Sequence, residues 1–401
     1  MNNMCLKSAQ WCLVGVVLWS LGIVMLPVAH AKQTNVFIGL TAEFGHRTST
    51  SARAIEMGIQ TAIDEVNEAG GVLDGRMLEL ITRDSGSIPA RAVANFRDLA
   101  AMPDVVAVFG GKFSPVVLEM AAQAEHLGVP LLDPWAAADD IIPETPAGSF
   151  VYRLSLKDSW ALNKMIDFAH SKGWSRLGLI VPNNGWGRSS KAAAAQKVLQ
   201  YPDISIVEES WYNLGASNLG TRYGAMVAKN VDVVLMVANE GEGAQIAKSA
   251  ASYPADIQIP LLSHWGITGG NFTKLAGASL DSVDLSVVQT FTFVNRNDQR
   301  ALDVLARTRR IFDLKTASDI PSQVGFSHAY DLTHILANAI NLSGSPDRAE
   351  VRNALEQVRN YDGLTRYFSR PFSPSSHEAL RSEDVFIGRF LSDGTIIPIE
   401  P

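Results

Sequence analysis

The chain has 401 residues, 47% of them hydrophobic, and 41 acidic against 34 basic side chains give it a formal net charge of −7. That balance disfavours nucleic acid as a partner. The only cysteines, Cys5 and Cys12, lie in an N-terminal leader, so disulfides, cysteine nucleophiles and thiolate metal sites are excluded from the chain beyond residue 31.

The leader opens with a single charge at Lys7, runs apolar from Trp11 to Val28 and ends in Ala29-His30-Ala31, small residues suited to cleavage. The run is also long enough to span a bilayer, so an uncleaved anchor is the competing reading. Removal of residues 1–31 is expected, which places the protein in an exported compartment, the periplasm. About 370 residues then remain, enough for two ordinary domains, and no later stretch is long and apolar enough to cross a membrane.

The first predicted strand is Val36 to Leu40. An amphipathic helix comes next, with Ile55, Ile59, Ala62, Ile63 and Val66 at helical spacing and Gly70-Gly71 as its left-handed stop. The segment Val72-Leu73-Asp74-Gly75-Arg76 then turns the chain into a strand ending at Asp84, so the protein starts as a βαβ unit. Strands at Leu78 to Arg83, Val105 to Phe109 and Val129 to Leu132 complete one set. A second set comprises Leu177 to Val181, Ile204 to Glu209, Val231 to Ala238 and Ile259 to Leu262, with helices near 189–200, 217–229 and 243–252. Continuous apolar strands such as Val105-Val106-Ala107-Val108-Phe109 suit sheets covered on both faces, and two doubly wound α/β lobes are predicted. Pro146 and Gly148 precede an expected crossing between the lobes near Tyr152 to Leu156. Beyond it, Ser286 to Phe293 reads as a strand, Asp298 to Asp313, Tyr330 to Leu342 and Arg348 to Arg359 as helices, and Asp393-Gly394 as the turn of a hairpin.

Several of these segments, in this order, resemble one family. The turn Asn67-Glu68-Ala69-Gly70-Gly71-Val72-Leu73-Asp74-Gly75-Arg76, the strand ending at Asp84, the loop from Gly110-Gly111 to Ser114, Gly128-Val129-Pro130 and Ala329-Tyr330-Asp331 are similar to periplasmic branched-chain amino-acid-binding proteins. The resemblance spans nearly all of the chain after the leader. It implies the type I periplasmic-binding fold, with two lobes joined by a three-crossing hinge that closes on a ligand for an ABC importer. The implied lobes are residues 32–154 with 287–358, and 155–286 with 359–401; a monomer without cofactor or metal is expected.

Ligands of open parallel sheets bind beyond the carboxyl ends of the strands. Those ends are Thr41 to Ser51, Gly110 to Ser114 and Asp133 to Ala137 in the first lobe, and Pro182 to Arg188, Asn239 to Gly243 and Ser263 to Gly270 in the second. Ser114, with Pro115 next to it, reads as a helix N-cap; its hydroxyl serves either its own helix or a ligand carboxylate. The resemblance places a carboxylate-binding serine there. It also places Trp135, Ala136 and Ala137 where the family has Ala-Ala-Thr, Trp186 at the family's tyrosine, Asn239 near a family aromatic, and Trp265 near the acid that receives an ammonium. Two amine-binding groups are thus missing, and an α-amino acid fits only if Glu43, Glu240 or Glu242 takes their place. The remaining candidates, Phe44, Arg47, Lys112, Phe113 and His264 beside Trp135, Trp186 and Trp265, suit a flat or apolar carboxylate. Each tryptophan is equally open to a packing role, and Arg47 and Lys112 to simple solvation.

No reaction is indicated. Gly110-Gly111-Lys112 lacks the remaining elements of a phosphate loop, no Gly-x-Ser-x-Gly elbow occurs, and His46, His126, His264, His328 and His334 show no metal-ligand spacing. The leading expectation is a receptor for a small organic acid. A ligand sensor for a membrane signalling protein and an exported enzyme on the same scaffold are the alternatives.

Overall fold

A computed structural model describes Met1, residues 35–391 and residues 394–399. The leader lies outside the described residues, as does Asp393 of the expected hairpin turn. The described residues are built on two large sheets and one two-stranded ribbon.

The first lobe contains β1 (Val36–Ala42), α1 (Ser51–Glu68), β2 (Leu78–Asp84), α2 (Pro89–Ala100), β3 (Val105–Phe109), α3 (Ser114–Leu127), β4 (Leu131–Asp133) and β5 (Val151–Arg153). Its five strands are all parallel, in the order β2-β1-β3-β4-β5. Every residue of β3 is buried, as a strand covered on both faces requires. Between α1 and β2, Gly70 and Gly71 adopt φ of 109° and 78°. A Cβ on Gly71 would collide with the carbonyl oxygen of Arg76, so the tight turn needs glycine there.

The second lobe contains α4 (Asp158–Ser171), β6 (Arg176–Pro182), α5 (Gly185–Val198), β7 (Ser205–Tyr212), α6 (Gly220–Ala228), β8 (Val233–Met236), α7 (Glu240–Ala251), β9 (Leu261–Ser263), α8 (Phe272–Ala276) and β10 (Leu285–Gln289). The parallel part of its sheet runs β7-β6-β8-β9-β10, the order of the first lobe repeated. In both sheets the order reverses beside the first strand, at β1/β3 and at β6/β8, and the loops at those points face the cleft.

After β10 the chain returns to the first lobe as α9 (Gln299–Phe312), α10 (Gln323–Ser343) and α11 (Arg348–Leu355). Arg300 and Arg307 of α9 pair with Glu65 and Asp64 of α1, and Arg348 donates to the carbonyls of Ala100 and Val105. A two-stranded ribbon, β11 (Tyr361–Asp362) and β12 (Tyr367–Phe368), precedes β13 (Phe386–Phe390) and β14 (Ile396–Pro398). β13 extends the second sheet antiparallel to β10, and β14 pairs antiparallel to β13 at its edge. Three crossings therefore join the lobes: one after β5, one after β10 and one ahead of β13.

A strand that the sequence reading did not include precedes the first crossing. Val151 to Arg153 form a fifth strand of the first sheet, paired with β4, and the chain leaves the lobe only beyond Arg153. Three residues set by their neighbour's hydrogen bonds carry too short a periodicity to be read as a strand.

Candidate functional site

The lobes touch along the strand-end loops. The amide of Thr50 donates to the carbonyl of Gly269 at 2.8 Å, Asp139 N donates to Ser189 Oγ at 3.0 Å, and the rings of Trp135 and Trp265 lie 5.6 Å apart across the cleft. Lys112 Nζ and Glu240 Oε2 form an ion pair at 2.6 Å, with side chains 2% and 0% exposed. This pair connects the loop after β3 to the first turn of α7.

Between these contacts lies an inner cavity of about 10 Å³, lined by Lys112, Phe113, Ser114, Trp135, Trp186 and Trp265, with Pro115, Ala137, Asn184, Asn239 and Gly266 completing it. A volume of that size holds about one water molecule. A wider cavity of about 700 Å³ shares Phe113, Pro115, Asn184 and Asn239 with it and opens past His46, Arg47 and Glu242. The two form one cleft with a broad mouth and a tight floor.

The first-lobe wall is fixed by bonds to the backbone. Ser114 Oγ accepts from the amides of Ala137 and Ala138, each at 3.2 Å. Asp133 Oδ1 accepts from Trp135 N at 3.0 Å and Ala136 N at 2.8 Å, and Arg153 Nη1 donates to the carbonyls of Ala136 and Ala138. Burial pushes the Asp133 carboxyl up to about 7, against the opposing pull of Arg153. Trp135 packs against α10 at Gly325, where a Cβ would collide with the indole. Its Nε1 has no hydrogen-bond partner.

The second-lobe wall is held by side chains. Trp186 Nε1 donates to Asp158 Oδ1 at 3.1 Å, and His264 Nε2 lies 3.0 Å from the same oxygen. Asp158 sits in the first turn of α4, where the helix dipole favours a carboxylate. Asn184 caps α5 by accepting from Gly187 N at 3.1 Å. Behind the cleft, Trp265 packs 5.7 Å from the His328 ring, whose burial lowers its pKa to about 4.

A family model described as periplasmic binding protein matches residues 35–394. The chain belongs to the periplasmic binding protein family. These are solute-binding proteins that work outside the cytoplasm. A Leu/Ile/Val-binding protein of Rhizobium johnstonii is 24% identical over 330 residues, covering 81% of this chain and 83% of the relative. A type 1 periplasmic binding protein of Bordetella pertussis superposes with a TM-score of 0.81 at 20% identity, covering 91% of this chain and all of that one. An ABC transporter solute-binding protein from R. palustris, solved with 4-hydroxybenzoate, superposes with a TM-score of 0.77 at 16% identity over 92% of this chain and 96% of its own. The fold is the type I periplasmic-binding fold.

Of the residues singled out in this family member's sequence, the structure gathers Lys112, Phe113, Ser114, Trp135, Ala137, Trp186, Asn239 and Trp265 around the inner cavity, and Arg47 at its mouth. Four lie elsewhere. Phe44 packs under the Arg53 guanidinium at 5.2 Å. Ala136 faces Asp133 and Arg153 with its backbone, and His264 stands behind Trp186 at ring contact, fully buried. Glu240 is consumed by Lys112.

Ser114 is not a cap. The α3 cap position belongs to Phe113, whose carbonyl accepts from Val116 and Val117, while the serine hydroxyl reaches across to the Ala137 loop. Proline at the second rather than the first helical position shifts the start by one residue. Asp158 was not signalled by the sequence; an acid opening a helix is ordinary, and only the fold brings Trp186 to it.

Proposed function

We propose that this chain is the substrate-binding component of an ABC importer, working as a monomer in the periplasm after loss of residues 1–31, and that its ligand is a flat or apolar carboxylate without an α-amino group. The observation that supports this reading is the fate of the three acids able to receive an ammonium. Glu43 accepts from Ser51 Oγ and from Lys112 N, Glu240 pairs with Lys112, and Glu242 accepts from Gly215 N at 2.8 Å. Each is already engaged within the protein. A buried ammonium without a counter-charge is costly, whereas three indoles and Phe113 offer apolar faces to a ring.

The carboxylate end is assigned to Ser114 and Trp135. With its oxygen accepting two amides, the Ser114 hydroxyl keeps its proton free to donate, and Trp135, whose buried Nε1 has no partner, lines the same cavity. The R. palustris structure with 4-hydroxybenzoate supports the reading that this fold accommodates such an acid. A ring of that size requires the lobes to part, as the first lobe (near 32–154 and 287–358) and the second (near 155–286 and 359–401) swing about the crossings, with β10 travelling on the second side.

A zwitterion inserted between Lys112 and Glu240 is the second reading, favoured by their position on opposite walls. Thermal shift separates the two. Benzoate or 4-hydroxybenzoate should stabilise the protein, by about 2.7 kcal/mol at roughly a hundredfold excess over its dissociation constant, and Ser114→Ala should weaken binding about tenfold. Saturable leucine binding that Glu240→Gln abolishes would establish the zwitterion instead.

A further inference from the structure

The residues shared by the two compartments of the cleft give it an order from floor to mouth. Ser114 and Trp135 line the inner cavity alone, Asn184 and Asn239 line both compartments, and Arg47 and Glu242 line the mouth alone. A ligand whose carboxylate reaches Ser114 therefore carries its far end past a collar that contains two asparagines.

Asn184 follows β6 and Asn239 follows β8, paired strands at the point where the second sheet reverses its order. Both stand at helix N-caps, of α5 and of α7, but they differ. Asn184 accepts from Gly187 N with its side-chain oxygen, as a cap does, and its Nδ2 has no partner among the described residues. Asn239 makes no capping bond. Its residue is 6% exposed, its carboxamide bonds nothing among the described residues, and neither polar atom is sealed, so the surface they keep opens into the cavities that the residue lines. An asparagine that forgoes its cap and stays unbonded at such depth holds out a donor and an acceptor to a ligand.

The collar thus offers donors from both asparagines and an acceptor from Asn239, all neutral. A hydroxyl matches it, because it accepts and donates at once. A methyl group would leave every one of them unpaired. A second carboxylate could take only the donors, and it would meet Glu242, which lies 9% exposed in the first turn of α7 with its carboxylate accepting from Gly215 N. Arg47 at the rim is exposed, so solvent screens its pull on such an anion. We propose that the cleft ligand is an aryl carboxylate bearing a hydroxyl on the side of the ring away from the carboxylate, and that Asn239, aided by Asn184, sets this specificity by bonding the hydroxyl. The proposal rests on the cleft being a carboxylate site and adds the ligand's second functional group.

Isothermal titration calorimetry of the native protein with benzoate, 4-methylbenzoate, terephthalate and 4-hydroxybenzoate tests it. The hydroxy acid should bind about tenfold more tightly than each of the others. Asn239→Ala, shown to be folded by its circular dichroism, should lose most of that preference. Equal affinity of the native protein for benzoate and 4-hydroxybenzoate would overturn the proposal while leaving the carboxylate site in place, and so would tighter binding of terephthalate or of 4-methylbenzoate. An undiminished preference in folded Asn239→Ala would overturn it too. Binding of none of the four acids would remove the carboxylate site itself, and this inference with it.

Discussion

The two lobes share a strand order, yet the walls they turn toward each other are made differently. In the first, Ser114, Asp133 and Arg153 are bonded to successive backbone groups of residues 135–138, so the loop has one shape. In the second, Trp186 donates to Asp158 and His264 lies beside the same carboxylate oxygen. A wall fixed through its backbone presents donors at set positions, while a wall of paired side chains can change its contour by rotamer. The first is suited to anchoring one functional group, the second to selecting the shape attached to it.

The largest test breaks the join between them. Lys112→Met leaves Glu240 buried and unpaired, a penalty of about 3–5 kcal/mol against the closed arrangement. Opening the hinge hydrates Glu240, so the expected result is a larger radius of gyration by X-ray scattering, reversed when Glu240→Leu is added. An unchanged radius would show that the pair does not hold the lobes together.

The first wall is sharpened by pH. The Asp133 carboxyl titrates at about 7 in the folded protein, above its usual value of 3.8. The folded state therefore holds this proton more tightly than the unfolded chain. The corresponding stability is complete below about pH 4 and is lost as the pH rises to about 7, with a slope of at most about 1.4 kcal/mol per pH unit. Denaturant midpoints of native protein and Asp133→Asn, followed from pH 4 to 8, should diverge in that direction; parallel curves would contradict it.

The smallest effect belongs to the second wall. Trp186→Phe keeps the ring but removes the donor to Asp158, costing about 1–2 kcal/mol in a denaturant melt. A loss as large as that of a cavity mutation would mean that the indole packs more than it bonds.

Residues with local signatures were legible in the sequence. Val105 to Phe109 reads as a covered strand because every side chain is apolar, and the α1 helix because its buried positions recur at helical spacing and Gly70-Gly71 stop it. The strand-end loops, and with them most of the cleft lining, follow from that alternation. The engagement of Glu43, Glu240 and Glu242 could not be read, since their partners lie far away in sequence or depend on how the loops close. For Trp135 the sequence leaves both a packing and a ligand-facing role open, and the bed that Gly325 gives it on one side lies on a helix far along the chain.

The order in which the chain visits its lobes has a consequence for biosynthesis. α9, α10 and α11 return to the first lobe and β13 to the second, so neither lobe is encoded by one uninterrupted stretch. A nascent polypeptide emerging from the ribosome lacks the pieces to complete either half until nearly the whole message has been translated, which delays stable tertiary structure. Such a chain stays threadable through a translocon for longer than one whose first domain could fold as soon as it appeared.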